Sequence, residues 1–230
     1  MADRHGPLPP LLLSLTVAVG LVDAVSYLAL GHVFVANMTG NVIFLGLSAA
    51  GVPGISALTS LVSIAAFLAA ALAGGRIARA QPHRGRLLAQ CVGVELVLVI
   101  ACAVVAAVSP GEIARTALIV LLALAMGLQS AVVRAITVPD LPTNVLTMTL
   151  TGLAADSRLA GGTGPNTGRR LTAVGTMLAG ALIGGVLTLR VSVVAALIAA
   201  ALLLAVTWAT VLRLSQLGPN APWAATAASR

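Results

Sequence analysis

Lysine is absent from these 230 residues, aromatic side chains make up 3%, charged ones 8%, and only two cysteines occur. Each shortage excludes something. With no lysine, the formal net charge of +7 comes from arginine alone, spread over segment ends instead of gathering into a basic face. Without such a face or an aromatic platform, nucleic acid is not an expected partner. Cys91 and Cys102 fall in one apolar run, about three helical turns or ~16 Å apart, too far to bridge, and read as small core residues. His5, His32 and His83 sit at segment ends with no metal-ligand spacing. No Ser-His-Asp, His-Glu-x-x-His or Walker pattern occurs, so neither a resident metal nor a cofactor is expected, and the chain does not read as an enzyme.

What is present is hydrocarbon. A hydrophobic content of 59% and a mean hydropathy of +1.07 exceed what a soluble core of this length can bury, which makes the chain an integral membrane protein. Six apolar runs, at about 10–30, 55–78, 87–108, 112–136, 170–189 and 191–214, approach the ~20 residues a bilayer requires. The fourth opens with Ser109-Pro-Gly-Glu112, which reads as a capping box. The last two are divided only by Leu189-Arg-Val-Ser192. Arg4 followed by an apolar run resembles a signal peptide, but the run carries Asp23 and continues without a cleavage site, so it is expected to be retained. The tail over 215–230, with Pro219, Pro222 and many alanines, is expected to be a mobile cytoplasmic end.

Two short apolar segments, at about 38–50 and 143–156, belong to a duplicated fragment. Gly20-Leu-Val-Asp-Ala24, Asn37-Met-Thr-Gly-Asn41 and Gly46-Leu47 return 107 residues on as Gly127-Leu-Gln-Ser-Ala131, with Thr143-Asn-Val-Leu-Thr147 and Gly152-Leu153 following. Ala66, Ala70, Gly74 and Gly75 likewise answer Thr176, Gly180, Gly184 and Gly185, small residues that let helices approach closely in lipid. Arginine placement tests whether the short segments cross. If both dip in and return, and the N-terminus is cytoplasmic, eleven of the thirteen arginines lie inside and only Arg115 and Arg190 outside. If both cross, the division falls to seven against six. The first arrangement is expected, with three crossings per half and the second half upside down. The expected fold is all-α: a polytopic bundle of about six transmembrane helices and two short re-entrant or broken helices. It forms one membrane domain over 1–230, with an inverted repeat of halves at about 10–108 and 109–214.

The strings Gly20-Leu-Val-Asp-Ala24, Phe34-Val-Ala-Asn-Met-Thr-Gly-Asn-Val42, Met126-Gly-Leu-Gln-Ser-Ala-Val-Val-Arg134 and Leu146-Thr-Met-Thr-Leu-Thr-Gly152 resemble the YoaK-like family of bacterial membrane proteins. The likeness spans most of the chain and departs from the family's pattern at Met148, where glycine is expected. It implies a bacterial protein of about six spans in a family of unknown function, and supplies no substrate or catalytic residue.

Irregular backbone at membrane depth persists only where protein or water satisfies its peptide groups, and two broken helices meeting near the midplane are how many transporters build a site. The candidate path residues are Asn37, Thr39, Gly40 and Asn41 in the first copy and Asn144, Thr147 and Thr149 in the second. Asp23 and Glu95 join them because a carboxyl group within a span marks an ion path, a proton relay or a paired partner. Gln129 or Ser130 is the repeat counterpart of Asp23, so polarity is duplicated and charge is not. Helix N-termini suit anions and midplane carboxylates suit cations or protons, which leaves the solute's charge open. The expected role is a small-solute or ion transporter or channel in the bacterial cytoplasmic membrane, both termini cytoplasmic. The alternative is a non-transporting scaffold, assembly or signalling partner, in which the same polar groups only join helices. The expected partners are the bilayer, a small solute or ion, protons included, and a second copy of the chain.

Overall fold

In hydrocarbon each N–H and C=O must be satisfied within its own segment, and helix is the form that does this for an isolated run. The computed structural model describes residues 5–109, 111–138, 146–164, 166–217, 221, 223 and 224. Among them are eight α-helices: α1 (Leu8–Ala29), α2 (Met38–Ala49), α3 (Ala57–Ala80), α4 (Arg84–Val108), α5 (Glu112–Ile136), α6 (Leu146–Ala155), α7 (Thr167–Arg190) and α8 (Val193–Leu217). A single 3-10 turn, Arg158–Ala160, links α6 to α7. The six long helices are apolar enough to cross a membrane, and the chain is a polytopic helical membrane bundle. At ~1.5 Å per residue, α2 and the described α6 reach only about 18 and 15 Å, well short of the ~30 Å hydrocarbon core.

Side-chain caps set several starts. Ser56 accepts the Thr59 N–H, His83 Nδ1 accepts the Arg86 N–H, and Ser192 Oγ accepts the Ala195 N–H where α7 gives way to α8. The expected capping box does not form. The Ser109 N–H bonds the Val105 carbonyl and closes α4, while Glu112 turns to Arg115 at 2.8 Å. Gly111, at φ 122°, turns the chain between them, and no side chain caps α5. Pro110 lies outside the described residues.

Burial divides the helices into two classes. Along the apolar windows, 67% of α1 and 61% of α5 is buried, against 17–28% of the other four long helices. Helices α1 and α5 therefore form the centre. The others turn leucines such as Leu58, Leu68, Leu178 and Leu202 outward, as lipid contact requires. The pairing has an exchange symmetry. α1 packs on α7 as α5 packs on α3, α1 on α8 as α5 on α4, and α2 on α3 as α6 on α7, while α4 meets α8.

Close approach is made by glycine. A Cβ at Gly20 would strike the Met177 carbonyl and lie 2.8 Å from the Ala181 nitrogen, and one at Gly127 would strike the Phe67 carbonyl. A Cβ at Gly184 would lie 2.6 Å from the Leu21 carbonyl oxygen, as one at Gly74 would lie 3.2 Å from that of Leu128. These matched crossings place Gly20 and Gly127 three residues before Asp23 and Ser130, which makes Ser130, not Gln129, the positional counterpart of Asp23.

The tail departs from expectation at its described residues. Residues 215–217 continue α8, and Trp223 packs on Gly6 and Gly85, edge-on to His83. The Arg84 N–H bonds the Ala224 carbonyl at 2.8 Å, and Ala224 is buried. An indole in a chain with so few aromatics supplies enough apolar surface to hold the tail against the start of α4.

Candidate functional site

The site begins where α1 ends. Gly31 (φ 93°) and His32 (φ 56°) occupy the left-handed region and reverse the chain, so residues 33–36 run back beside α1. Glycine takes such an angle at no steric cost, and histidine is among the side chains that tolerate it. Asp23 receives the returning chain: its Oδ1 accepts the N–H of Val35 at 3.0 Å and of Ala36 at 2.9 Å. Those amides would otherwise be unsatisfied in hydrocarbon, and bonds to a charged acceptor contribute about 1.5–3 kcal/mol each. Asp23 lies six residues before Ala29, so α2 starts about 9 Å back along α1 from its end. Asn37 caps α2 by accepting the Gly40 N–H at 3.3 Å.

Asn41 locks the return. Its Oδ1 accepts the Phe34 N–H at 2.9 Å, and its Nδ2 donates to the Phe34 carbonyl at 2.6 Å and to Ser63 Oγ on α3 at 3.2 Å. The Ser63 hydroxyl donates to the same carbonyl at 2.7 Å. α6 is tied differently. Arg170 of α7 donates through Nη1 to the Gly152 carbonyl and to Asp156 Oδ2, the latter at 2.7 Å.

Between these elements lies a cavity of about 760 Å³. Asp23 and Tyr27 of α1, Asn37, Thr39 and Gly40 at the start of α2, Phe67 of α3, Leu146 and Thr147 of α6, and Met177 of α7 are among its walls. The first turn of α2 and the first described turn of α6 therefore open on one space. Asp23 is 6% exposed, and among the described residues no group bonds its Oδ2. Among the described residues no arginine lines the cavity.

Of the ten candidates, Asp23, Asn37, Thr39, Gly40 and Thr147 meet at this cavity. Asn41 is fully buried behind it, its amide engaged by Phe34 and Ser63. Gln129 on α5, Glu95 on α4 and Thr149 on α6 are buried and do not line it. Asn144 lies outside the described residues, as does Thr143. Met148, the departure from the family pattern, is 68% exposed, so its bulk displaces nothing.

Sequence reasoning missed the aromatics. The chain has three phenylalanines and one tyrosine, and all four gather here. Tyr27, Phe34 and Phe67 line the cavity; Phe34 stacks on Tyr27 at 5.4 Å and on Phe44 at 5.6 Å between ring centroids. The signal was available: in so aromatic-poor a sequence, three of the four fall between positions 27 and 44.

A six-span helical bundle in which polar side chains at the start of two short helices share one cavity is the class of protein this geometry defines. The chain belongs to the family described as "Protein of unknown function (DUF1275)", whose profile matches residues 11–209. It is 32% identical over 151 residues to "UPF0700 transmembrane protein YoaK" of Bacillus subtilis (strain 168), a stretch covering 64% of this chain. The chain spans 65% of the length of that relative. No solved structure matches.

Proposed function

We propose that this protein is a small-solute or ion transporter or channel of the bacterial cytoplasmic membrane, built as an inverted repeat with both termini cytoplasmic. The carrying observation is that Asp23, the start of α2 and the start of α6 line one cavity. Two short elements from the two copies of the duplicated fragment thus share one cavity, which is the arrangement alternating access needs. The exchange symmetry of the pairing supports equivalent halves that rock about that space, and the arginine distribution supports their opposite orientation. The reading assigns the cavity no catalysis; among the described lining residues are Asp23, Asn37, Thr39 and Thr147 but no serine, cysteine or histidine. A scaffold role would have each polar side chain bonded from helix to helix. Asn41 and Ser63 meet that description, whereas Asp23 Oδ2 does not.

Asp23→Asn tests the reading. The amide keeps an oxygen for the Val35 and Ala36 amides and loses the ionisable group facing the cavity. Solute flux into proteoliposomes, screened with the unmodified protein, is expected to fall by about tenfold or more while the unfolding temperature in detergent stays close. Unchanged flux through a protein equally stable would remove Asp23 from the path.

A further inference from the structure

We infer that the cavity binds a small organic cation, a protonated amine or quaternary ammonium, with its charge at Asp23 Oδ2 and its apolar substituents against Tyr27, Phe34 and Phe67. The inference rests on reading this cavity as a solute site and names the class of solute. Its first ground is an incomplete coordination. Asp23 Oδ1 is taken by two backbone N–H groups, which leaves Oδ2 for a positively charged partner, and the residue is 94% buried with no arginine among the described lining residues. A buried carboxyl group whose second oxygen faces a cavity has a place there for a cationic ligand.

The opposing influence is the start of α2, whose dipole favours an anion. Its strength is about half an elementary charge against the full charge of a carboxylate. It is also largely answered within the fold: Asp23 holds the Val35 and Ala36 amides leading into α2, and Asn37 holds that of Gly40. The charge balance therefore favours a cation. The walls decide between a bare ion and an organic one. A bare metal ion needs several oxygens converging on a small space, whereas here a cavity of about 760 Å³ spreads one carboxyl group, the short polar side chains of Asn37, Thr39 and Thr147, and three aromatic rings over its walls. Aromatic walls attract ammonium groups and supply apolar contact for their substituents, and this volume suits a small organic molecule.

The ammonium can come from a free solute or from a lipid headgroup, and the test has an arm for each. Purified protein in a sugar-based, nitrogen-free detergent is titrated calorimetrically with choline and with benzylammonium, each beside its neutral isostere, dimethylbutanol or benzyl alcohol. Each cation is expected to bind about tenfold or more tightly than its isostere. Asp23→Asn is expected to erase that preference. Phe67→Leu is expected to weaken both cations severalfold and to retain it, which keeps the test decisive should Asp23→Asn fail to fold. In nanodiscs, loss of choline binding when phosphatidylethanolamine replaces phosphatidylglycerol assigns the site to a headgroup, and undiminished binding assigns it to a free solute; either supports an ammonium site. Equal binding of the isosteres, binding of acetate or benzoate in their place, or a preference that survives Asp23→Asn overturns the inference. Ammonium binding without flux of any solute would overturn the transport reading alone. Flux of an anion or sugar without ammonium binding would overturn this inference and leave transport standing.

Discussion

A Cβ at position 40 would lie 2.6 and 2.9 Å from two ring carbons of Phe34. Gly40 thus makes room for the ring: it lets Phe34 lie against α2, where its backbone bonds Asn41. Gly46, two turns on, has nothing within 4 Å. The pair separates packing from helix propensity. Gly40→Ala is expected to lower stability by about 1–3 kcal/mol, the usual result of overpacking, as the ring is driven toward the cavity. Gly46→Ala is expected to be neutral or stabilising by up to about 1 kcal/mol, because alanine orders the unfolded chain and favours helix. Thermal unfolding of both variants in one detergent checks this, and equal melting temperatures would remove the packing role from Gly40. Asn41 makes the same point. Its residue type suited a solute path, yet its two amide atoms are complementary to the N–H and C=O of Phe34, and the backbone claims them.

At the scale of elements, α2 and α6 are held by different chemistry although they descend from similar strings. α2 is fixed at its start by Asp23 and in its first turn by Asn41, whereas α6 is fixed near its end, through Gly152 and Asp156, by Arg170 of α7. Gly152 leaves room for that guanidinium, since a Cβ there would lie 2.9 Å from its carbon. Arg170→Ala removes the two bonds that tie α6 to α7, to Asp156 Oδ2 and to a Gly152 carbonyl that keeps the Asp156 N–H, at a cost of about 1–3 kcal/mol. Hydrogen exchange is expected to quicken over residues 146–156 and to stay unchanged over 38–49. Equal change in both would mean that Arg170 supports the bundle and not α6 in particular. Helices of this kind were legible in the sequence because apolar run length is itself the physical determinant of a span. Observed ends exceed the apolar runs by up to three residues, where Arg84, Arg169 and Arg190 sit within helix. The site was legible in its polar residues at the start of α2 and in Asp23. The aromatic wall was not, because Tyr27, Phe34 and Phe67 come from α1, a loop and α3, and no periodicity links them. Nor was the Arg170 tie, which joins residues 14 and 18 apart across a loop.

At the scale of the molecule, the glycine crossings at Gly20 and Gly127 and the exchange symmetry of helix pairs hold whether the halves are parallel or inverted; orientation depends on crossings per half. In the proposed topology a 12-residue α2 that begins at the level of Asp23 returns toward the end of α1 and adds no crossing. That reading gives three crossings per half and assigns each loop a side. Cysteine labelling reads this directly. Cys91 and Cys102 are buried in α4, and their replacement by alanine gives a background without reactive thiols. Single cysteines at the exposed positions Arg79, Arg115, Arg190 and Arg213 are then treated with a membrane-impermeant maleimide in intact spheroplasts. Labelling is expected at 115 and 190 alone, with 79 and 213 reacting only after permeabilisation. Labelling of 79 from outside would mean that α2 crosses, giving four spans before α5 and a parallel repeat. The two starts that share the cavity would then come from helices pointing the same way, and symmetric rocking about Asp23 would lose its geometric basis. A cysteine at Gly51, just past the end of α2, closes the argument: it is expected to label from the same side as 115, because a helix that returns must end where α1 ended.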